Sequence, residues 1–128
     1  MSTVLGVDIG TQSVKVVIYD ADLKDCIATA SAPLKLEQSS DGSASQRAGW
    51  WILALQQAVS KLDRNVRVRV SAIGVSGQQH GFVPIDESGK VLAPVKLWCD
   101  TSTTAECDAI MSEFGGVEAC MKEVGNPV

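Results

Sequence analysis

Two short stretches carry most of the chemically useful side chains. The first is "DIGTQSVK", residues 8 to 15. Asp8 stands near the end of an apolar run, and Gly10, Thr11, Gln12 and Ser13 follow as a tight polar turn. Such a turn can aim backbone N–H groups and the Thr11 and Ser13 hydroxyls at phosphate oxygens. Asp8 could then hold Mg²⁺, directly or through water. The GxxxxGK[ST] spacing of a P-loop is absent, so this is not a Walker-type site. The same residues also suit an ordinary hairpin with a polar turn.

The second stretch is "VSGQQHGFVPID", residues 75 to 86, with the one histidine of the chain, His80. Gln78, Gln79 and His80 lie between Gly77 and Gly81, just beyond an apolar run. Amide and imidazole groups both donate and accept, which matches the hydroxyls of a sugar or polyol. In open α/β sheets, ligands bind beyond the C-terminal ends of strands. A capped, hydrogen-bonded surface histidine is the alternative. A third stretch, "LWCDTST", residues 97 to 103, places Trp98 and Asp100 before a helix. The indole could pack on the apolar face of a sugar while Asp100 accepts from a hydroxyl. Alternatively Trp98 is core and Asp100 caps the helix that begins near Thr101.

These stretches need elements to hold them. "TVLGVDI" (3–9), "VKVVIYD" (14–20) and "CIATASAPL" (26–34) have the β-branched bias of strands. Their short connections make an antiparallel meander, because parallel neighbours need a long crossover. "KLEQSSDGSASQRAG" then reads as a polar surface loop. In "WWILALQQAVSKL", residues 50 to 62, the apolar residues Trp51, Leu55, Ala58, Val59 and Leu62 recur on one helical face. "VSAIGVS", residues 70 to 76, reads as a buried strand parallel to an earlier one. "FVPID" and "VLAPVKLW" flank "ESGK" as a hairpin, with Pro84 and Pro94 keeping both off a central position. Two short helices close the chain, one in "TSTTAECDAIMSEF" and one in "GGVEACMKEVG". A meander feeding a crossover helix and a parallel strand is the start of a ribonuclease H-like, or actin-like, α/β layer with a mixed sheet.

Bulk properties narrow the function. The 128 residues carry a net charge of −4. That argues against nucleic acid as a partner, which would demand clustered Lys and Arg. The one basic cluster, Arg64, Arg67 and Arg69, reads as a solvated strand edge. No apolar run reaches the roughly 20 residues of a membrane span. The N-terminus has no basic region ahead of an apolar one. Cys26, Cys99, Cys107 and Cys120 show no metal-like spacing and read as reduced cytoplasmic thiols.

In order, "GVDIGTQSVKVVIYD", "SQRAGWW", "GVSGQQHGFVPID", "LAPVKLWCDTST" and "VGNPV" resemble the N-terminal part of the FGGY family of carbohydrate kinases. Within it they are most similar to the branch acting on D-xylulose. One position departs: that branch often has Met before the histidine, where Gln79 stands here. The resemblance implies ATP-dependent phosphorylation of a sugar hydroxyl, with ATP and Mg²⁺ required. It assigns Gly10, Thr11, Gln12 and Ser13 to the phosphates and Asp8 to the metal. It assigns Gln79, His80, Trp98 and Asp100 to the sugar. It further implies that residues 1–128 are part of the first of two ribonuclease H-like domains. The catalytic base, an Asp, is then expected beyond Val128, and this chain alone is expected to be inactive. A homodimer is expected of the full-length form. Other members of the family, acting on ribulose, glycerol or gluconate, and a non-catalytic nucleotide- or sugar-binding module are the alternatives. Apolar surface left by a split core would drive self-association.

Overall fold

The computed structural model describes residues 3–127. Strand β1 (Thr3–Ile9) pairs antiparallel with β2 (Ser13–Asp20), and β2 pairs antiparallel with β3 (Asp25–Pro33). This is the meander expected from the short connections. The alternation of the strands decides which face is buried. Thr3, Leu5 and Val7 of β1 and Val14, Val16 and Ile18 of β2 point to one side and are buried there. Gly6 and Asp8 point to the opposite side and are exposed.

The helix α1 (Ala48–Ser60) covers the buried side. It starts two residues earlier than its apolar periodicity suggests. Its buried positions are Ala54 and Ala58, with Leu62 just past its end, while Trp51, Leu55 and Val59 are half-buried. The small side chains have a reason. The β3 positions that face the helix are Ala28, Ala30 and Ala32, so alanine meets alanine and the helix lies close on β2 and β3. Larger residues at both positions would overpack this contact.

The Arg64–Arg67 segment is a one-turn helix, α2, rather than a strand edge. Arg69 follows it and donates from Nη2 to Asp20 Oδ2 at 3.0 Å. Asp20 is almost fully buried, and its Oδ1 also accepts from the Asp22 and Leu23 N–H groups. One carboxylate thus fixes the β2–β3 turn and the approach to the next strand.

That strand, β4 (Val70–Gly77), runs parallel to β1. The sheet order is β3-β2-β1-β4. The parallel pairing agrees with the sequence reading, but the expected burial does not. β4 is exposed from Ser71 to Gly77, because α1 packs over β2 and β3 and nothing among the described residues covers the outer strand.

The polar segment after β3, expected to be a loop, holds two short strands. They are β5 (Glu37–Gln38) and β6 (Ala44–Gln46). With β7 (Val95–Lys96) they make a second antiparallel sheet in the order β5-β6-β7. Alternation is too short there to leave a readable strand signal. The expected hairpin around "ESGK" is reduced to isolated bridges, Ile85 with Val91 and Phe82 with Lys96. Pro84 and Pro94 withhold the N–H groups that a longer ladder would use. Helices α3 (Thr104–Glu113) and α4 (Val117–Val124) end the described chain. All four cysteines carry free thiols.

Candidate functional site

Because β1 and β4 are parallel neighbours, their C-terminal ends lie side by side. Ile9 pairs with Gly77, and the Gln78 N–H continues the ladder by donating to the Ile9 carbonyl at 2.8 Å. Gly77 permits that approach, since a Cβ there would lie 3.2 Å from the Ile9 oxygen. The Gly10–Ser13 turn and the Gln78–His80 segment therefore leave the sheet together. This is the end of an α/β sheet where ligands bind.

The turn is closed by the Gly10 N–H donating to the Ser13 carbonyl at 3.0 Å. The N–H groups of Thr11 and Gln12 have no acceptor among the described residues. Two successive amides of the turn, next in sequence to the Ser13 hydroxyl, are thus free to donate to an anion. The Thr11 hydroxyl, expected to face phosphate, is engaged instead. It donates to Gln78 Oε1 at 2.9 Å and accepts from Trp98 Nε1 at 3.0 Å. One acceptor lone pair remains to it.

Beneath the turn lies Gln46, wholly buried at 0% exposure. Its Nε2 donates to the Thr11 carbonyl at 2.7 Å and to the Lys35 carbonyl at 2.8 Å. Its Oε1 accepts from Trp51 Nε1 at 2.9 Å and from Gln78 Nε2 at 3.1 Å. Both donors and both acceptor positions are used, as a buried amide requires. Gln46 and Gln78 are absent from the site residues that the resemblance implies. The signal for Gln46 was one polar residue, shortly ahead of the Trp50–Trp51 pair of α1, in a segment that reads as loop.

His80, Phe82, Lys96, Trp98, Asp100 and Thr103 are among the residues lining a cleft of about 410 Å³. The structure thus brings together three of the four residues assigned to the sugar. The fourth, Gln79, is exposed and lines none of this cleft. His80 has φ 59°, a left-handed conformation that costs a side-chain-bearing residue roughly 1 kcal/mol. Such strain beside a cleft is what functional segments tend to hold. Trp98 is 61% exposed, so its ring face is open while its N–H is fixed by Thr11.

Asp100 is different. Its side chain is 4% exposed. Oδ1 accepts from the Ser102 N–H at 3.0 Å and the Ser102 hydroxyl at 2.6 Å, and Oδ2 accepts from the Ala44 N–H at 2.9 Å. Lys96 Nζ lies 3.3 Å away. The Ser102 hydroxyl first, then the Ala44 N–H, hold this carboxyl well below the usual carboxylate range. These contacts join β6 to the turn ahead of α3, which begins at Thr104 rather than near Thr101. Asp100 shapes the cleft wall more than it offers a free oxygen.

Asp8 lies on the uncovered face of the sheet, between Lys15 of β2 and Ser76 of β4. Its carboxylate has no hydrogen-bond or ion-pair partner among the described residues. No cluster of three metal-binding side chains occurs among them. A single free carboxylate of this kind fits Mg²⁺, which protein sites commonly hold through one or two carboxylates together with substrate phosphates and water. No helix among the described residues is long and apolar enough to cross a membrane.

Comparison with known proteins gives this arrangement its context. Residues 3–128 match the N-terminal domain of the FGGY family of carbohydrate kinases. A xylulose kinase of Haemophilus influenzae is 37% identical over 128 residues, which cover 94% of this chain and 26% of that protein. One of Lactococcus lactis is 32% identical over 90% of this chain and 23% of its own length. The chain thus spans about a quarter of the length of these relatives. A crystal structure of a xylulose kinase from Brucella ovis superposes with a TM-score of 0.86 at 29% identity, covering 98% of this chain and 26% of that one. Glycerol kinase of Plasmodium falciparum, solved with ADP, shares the fold at a TM-score of 0.74, 18% identity and 88% coverage of this chain, against 23% of its own. The fold is the actin-like, ribonuclease H-like one that the strand order suggests, and the chain belongs to the FGGY family of carbohydrate kinases.

Proposed function

We propose that this chain is the N-terminal part of the first domain of an ATP-dependent kinase that converts D-xylulose to D-xylulose 5-phosphate. The observation that carries the reading is the contact between the two candidate subsites. Trp98, which lines the cleft, bonds directly to Thr11 of the turn that offers free amides to phosphate. Acceptor and phosphoryl donor would thereby meet at one sheet end. The xylulose kinases among the relatives support the choice of sugar.

In this reading the Trp98 ring packs on the sugar and His80 bonds its hydroxyls, and Gln79, outside the cleft, joins them only by turning its side chain inward. The free amides of Thr11 and Gln12 and the Ser13 hydroxyl receive phosphoryl oxygens. Asp8 would hold Mg²⁺, which when bound neutralises charge developing on the phosphates. The sugar hydroxyl forms its bond to the γ-phosphorus as the bond to the ADP oxygen breaks, and the hydroxyl proton passes to a base. That base is an Asp beyond Val128. Such transfers rest on positioning and electrostatics, so a chain holding only part of the machinery is inactive alone. A cytoplasmic location and a homodimeric full-length form belong to the same proposal.

The test is ADP release by the full-length kinase with D-xylulose, L-ribulose, glycerol and gluconate. Turnover is expected with D-xylulose. The His80→Ala variant should lose about tenfold to a hundredfold in kcat/KM, the worth of a buried hydroxyl contact. Preference for another acceptor would keep the family and overturn the sugar. ADP release by residues 1–128 alone would overturn the claim that this part is inactive.

A further inference from the structure

Every peptide bond among the described residues is trans. In a planar trans peptide the C=O of one residue and the N–H of the next point in opposite directions. Gln46 Nε2 holds the Thr11 carbonyl inward at 2.7 Å. The Gln12 N–H on that same peptide must therefore point outward, and it has no acceptor among the described residues. Gln46 itself cannot turn. Its other donor is held by Lys35, and its oxygen is held by Trp51 and Gln78.

We propose that Gln46 is a positioning residue for phosphoryl binding: by clamping the Thr11 carbonyl it aims the Gln12 amide at the phosphate of the bound nucleotide. It touches no substrate and acts through the Thr11–Gln12 peptide. The clamp also joins the turn to β4, because Gln78 bonds both Gln46 and the Thr11 hydroxyl. The peptide plane is thus set by a buried side chain, while the Thr11 hydroxyl, tied to Trp98, is set by the cleft. Two different perturbations should separate the two effects. The inference rests on the kinase reading above.

The experiment uses the full-length kinase and three forms: wild type, Gln46→Glu and Thr11→Val. Burial and the two facing carbonyls favour the protonated form of the carboxyl introduced by Gln46→Glu, whose single O–H can satisfy only one of the Thr11 and Lys35 carbonyls, so the double clamp is lost at nearly unchanged volume. Gln46→Glu should raise the KM for ATP about tenfold and move the KM for the sugar less than twofold. Thr11→Val keeps the clamped carbonyl but frees the Trp98 N–H, so the sugar KM should move the more. Equal shifts of both constants in Gln46→Glu, or a lower Tm with both constants unchanged, would overturn the proposal and leave Gln46 a structural residue. Should Gln46→Glu not fold, amide exchange in the wild type decides. The Gln12 N–H should exchange freely without nucleotide and be slowed at least tenfold by a non-hydrolysable ATP analogue. An unchanged Gln12 rate overturns the assignment. If the wild type releases no ADP with any of the four acceptors and binds no ATP analogue, the kinase reading fails and this inference falls with it.

Discussion

The two faces of β1 and β4 that look toward α1 have the same kind of residue and opposite fates. On β1, Leu5 and Val7 are buried against α1 and β2. On β4, their register partners Ile73 and Val75 are 65% and 68% exposed. The sequence of β4, "VSAIGVSG", has the run of small and β-branched residues of an interior strand, without the charges or proline that protect natural edges. The comparison teaches that burial is decided by what lies above a strand, and strand composition reports only what the strand is suited to. The helix lies over β2 and β3, and its reach stops at β1. Helices α3 and α4 make no extended contact with either sheet.

The largest effect is expected where the packing is complete. Ile18 is fully buried in the α1 core, so Ile18→Ala removes apolar contacts and leaves a cavity. It should cost about 2–5 kcal/mol, read as a fall in the urea midpoint at unchanged slope. A loss below about 1 kcal/mol would mean that the α1 layer is loosely packed and that the contrast with β4 is false.

Acid should act at the other sheet. The Asp100 carboxyl titrates below its ordinary value of 3.8, because the Ser102 hydroxyl and the Ala44 N–H favour its charged form. A carboxyl whose folded-state pKa is depressed stabilises fully above its unfolded value and loses that contribution as pH falls toward the folded one. Stability owed to Asp100 should be complete at about pH 6 and decline below about pH 4. Asp100→Asn should flatten this part of the pH–stability curve and loosen β6 from the turn before α3. Parallel curves for the two proteins between about pH 6 and pH 3 would refute the role.

How much of this was legible in the sequence follows the same division. The meander and α1 were readable from periodicity and short connections, and β4 was readable as parallel to an earlier strand, though not as the neighbour of β1. The burial of β4 was not, since composition cannot say whether a neighbour is present. The second sheet was missed because two- and three-residue strands carry no period. At the site, Asp8, Gly10, Thr11, Gln12, Ser13, His80 and Trp98 were legible as types at strand ends. The engagement of the Thr11 hydroxyl and the clamp by Gln46 were not, because they join residues 32 to 87 positions apart. Asp100 was legible as a helix cap or as a sugar contact, but the cap of α3 is Thr103, and the Asp100 carboxylate bonds Ser102 and Ala44 instead.

A smaller effect tests whether the bare face is sticky. Ile73, Val75, Ile9 and the edge of Trp51 make adjoining apolar surface beside α1. Surfaces of this kind drive association when nothing covers them. The 128-residue chain should show a sedimentation coefficient that rises with concentration, and Val75→Lys should abolish the rise. A wild type that stays monomeric from micromolar to millimolar concentration would show that the face is tolerated by water.

The smallest effect is the most informative about the missing cover. Ile73→Ala in this chain removes side-chain atoms that already face solvent, so it should change stability by no more than about 0.5 kcal/mol. That value stands against the roughly 2–5 kcal/mol of Ile18→Ala in the same sheet. The relatives are about four times as long, so a full-length kinase of that length would have further chain available to cover β4. There the same Ile73→Ala change would open a cavity and cost about 2 kcal/mol or more. A large cost in the long protein with none in the short one would identify β4 as an interior strand whose partner lies in the rest of the chain. An equally small cost in both would mean that β4 is exposed in the kinase as well, and its apolar face would then need another explanation.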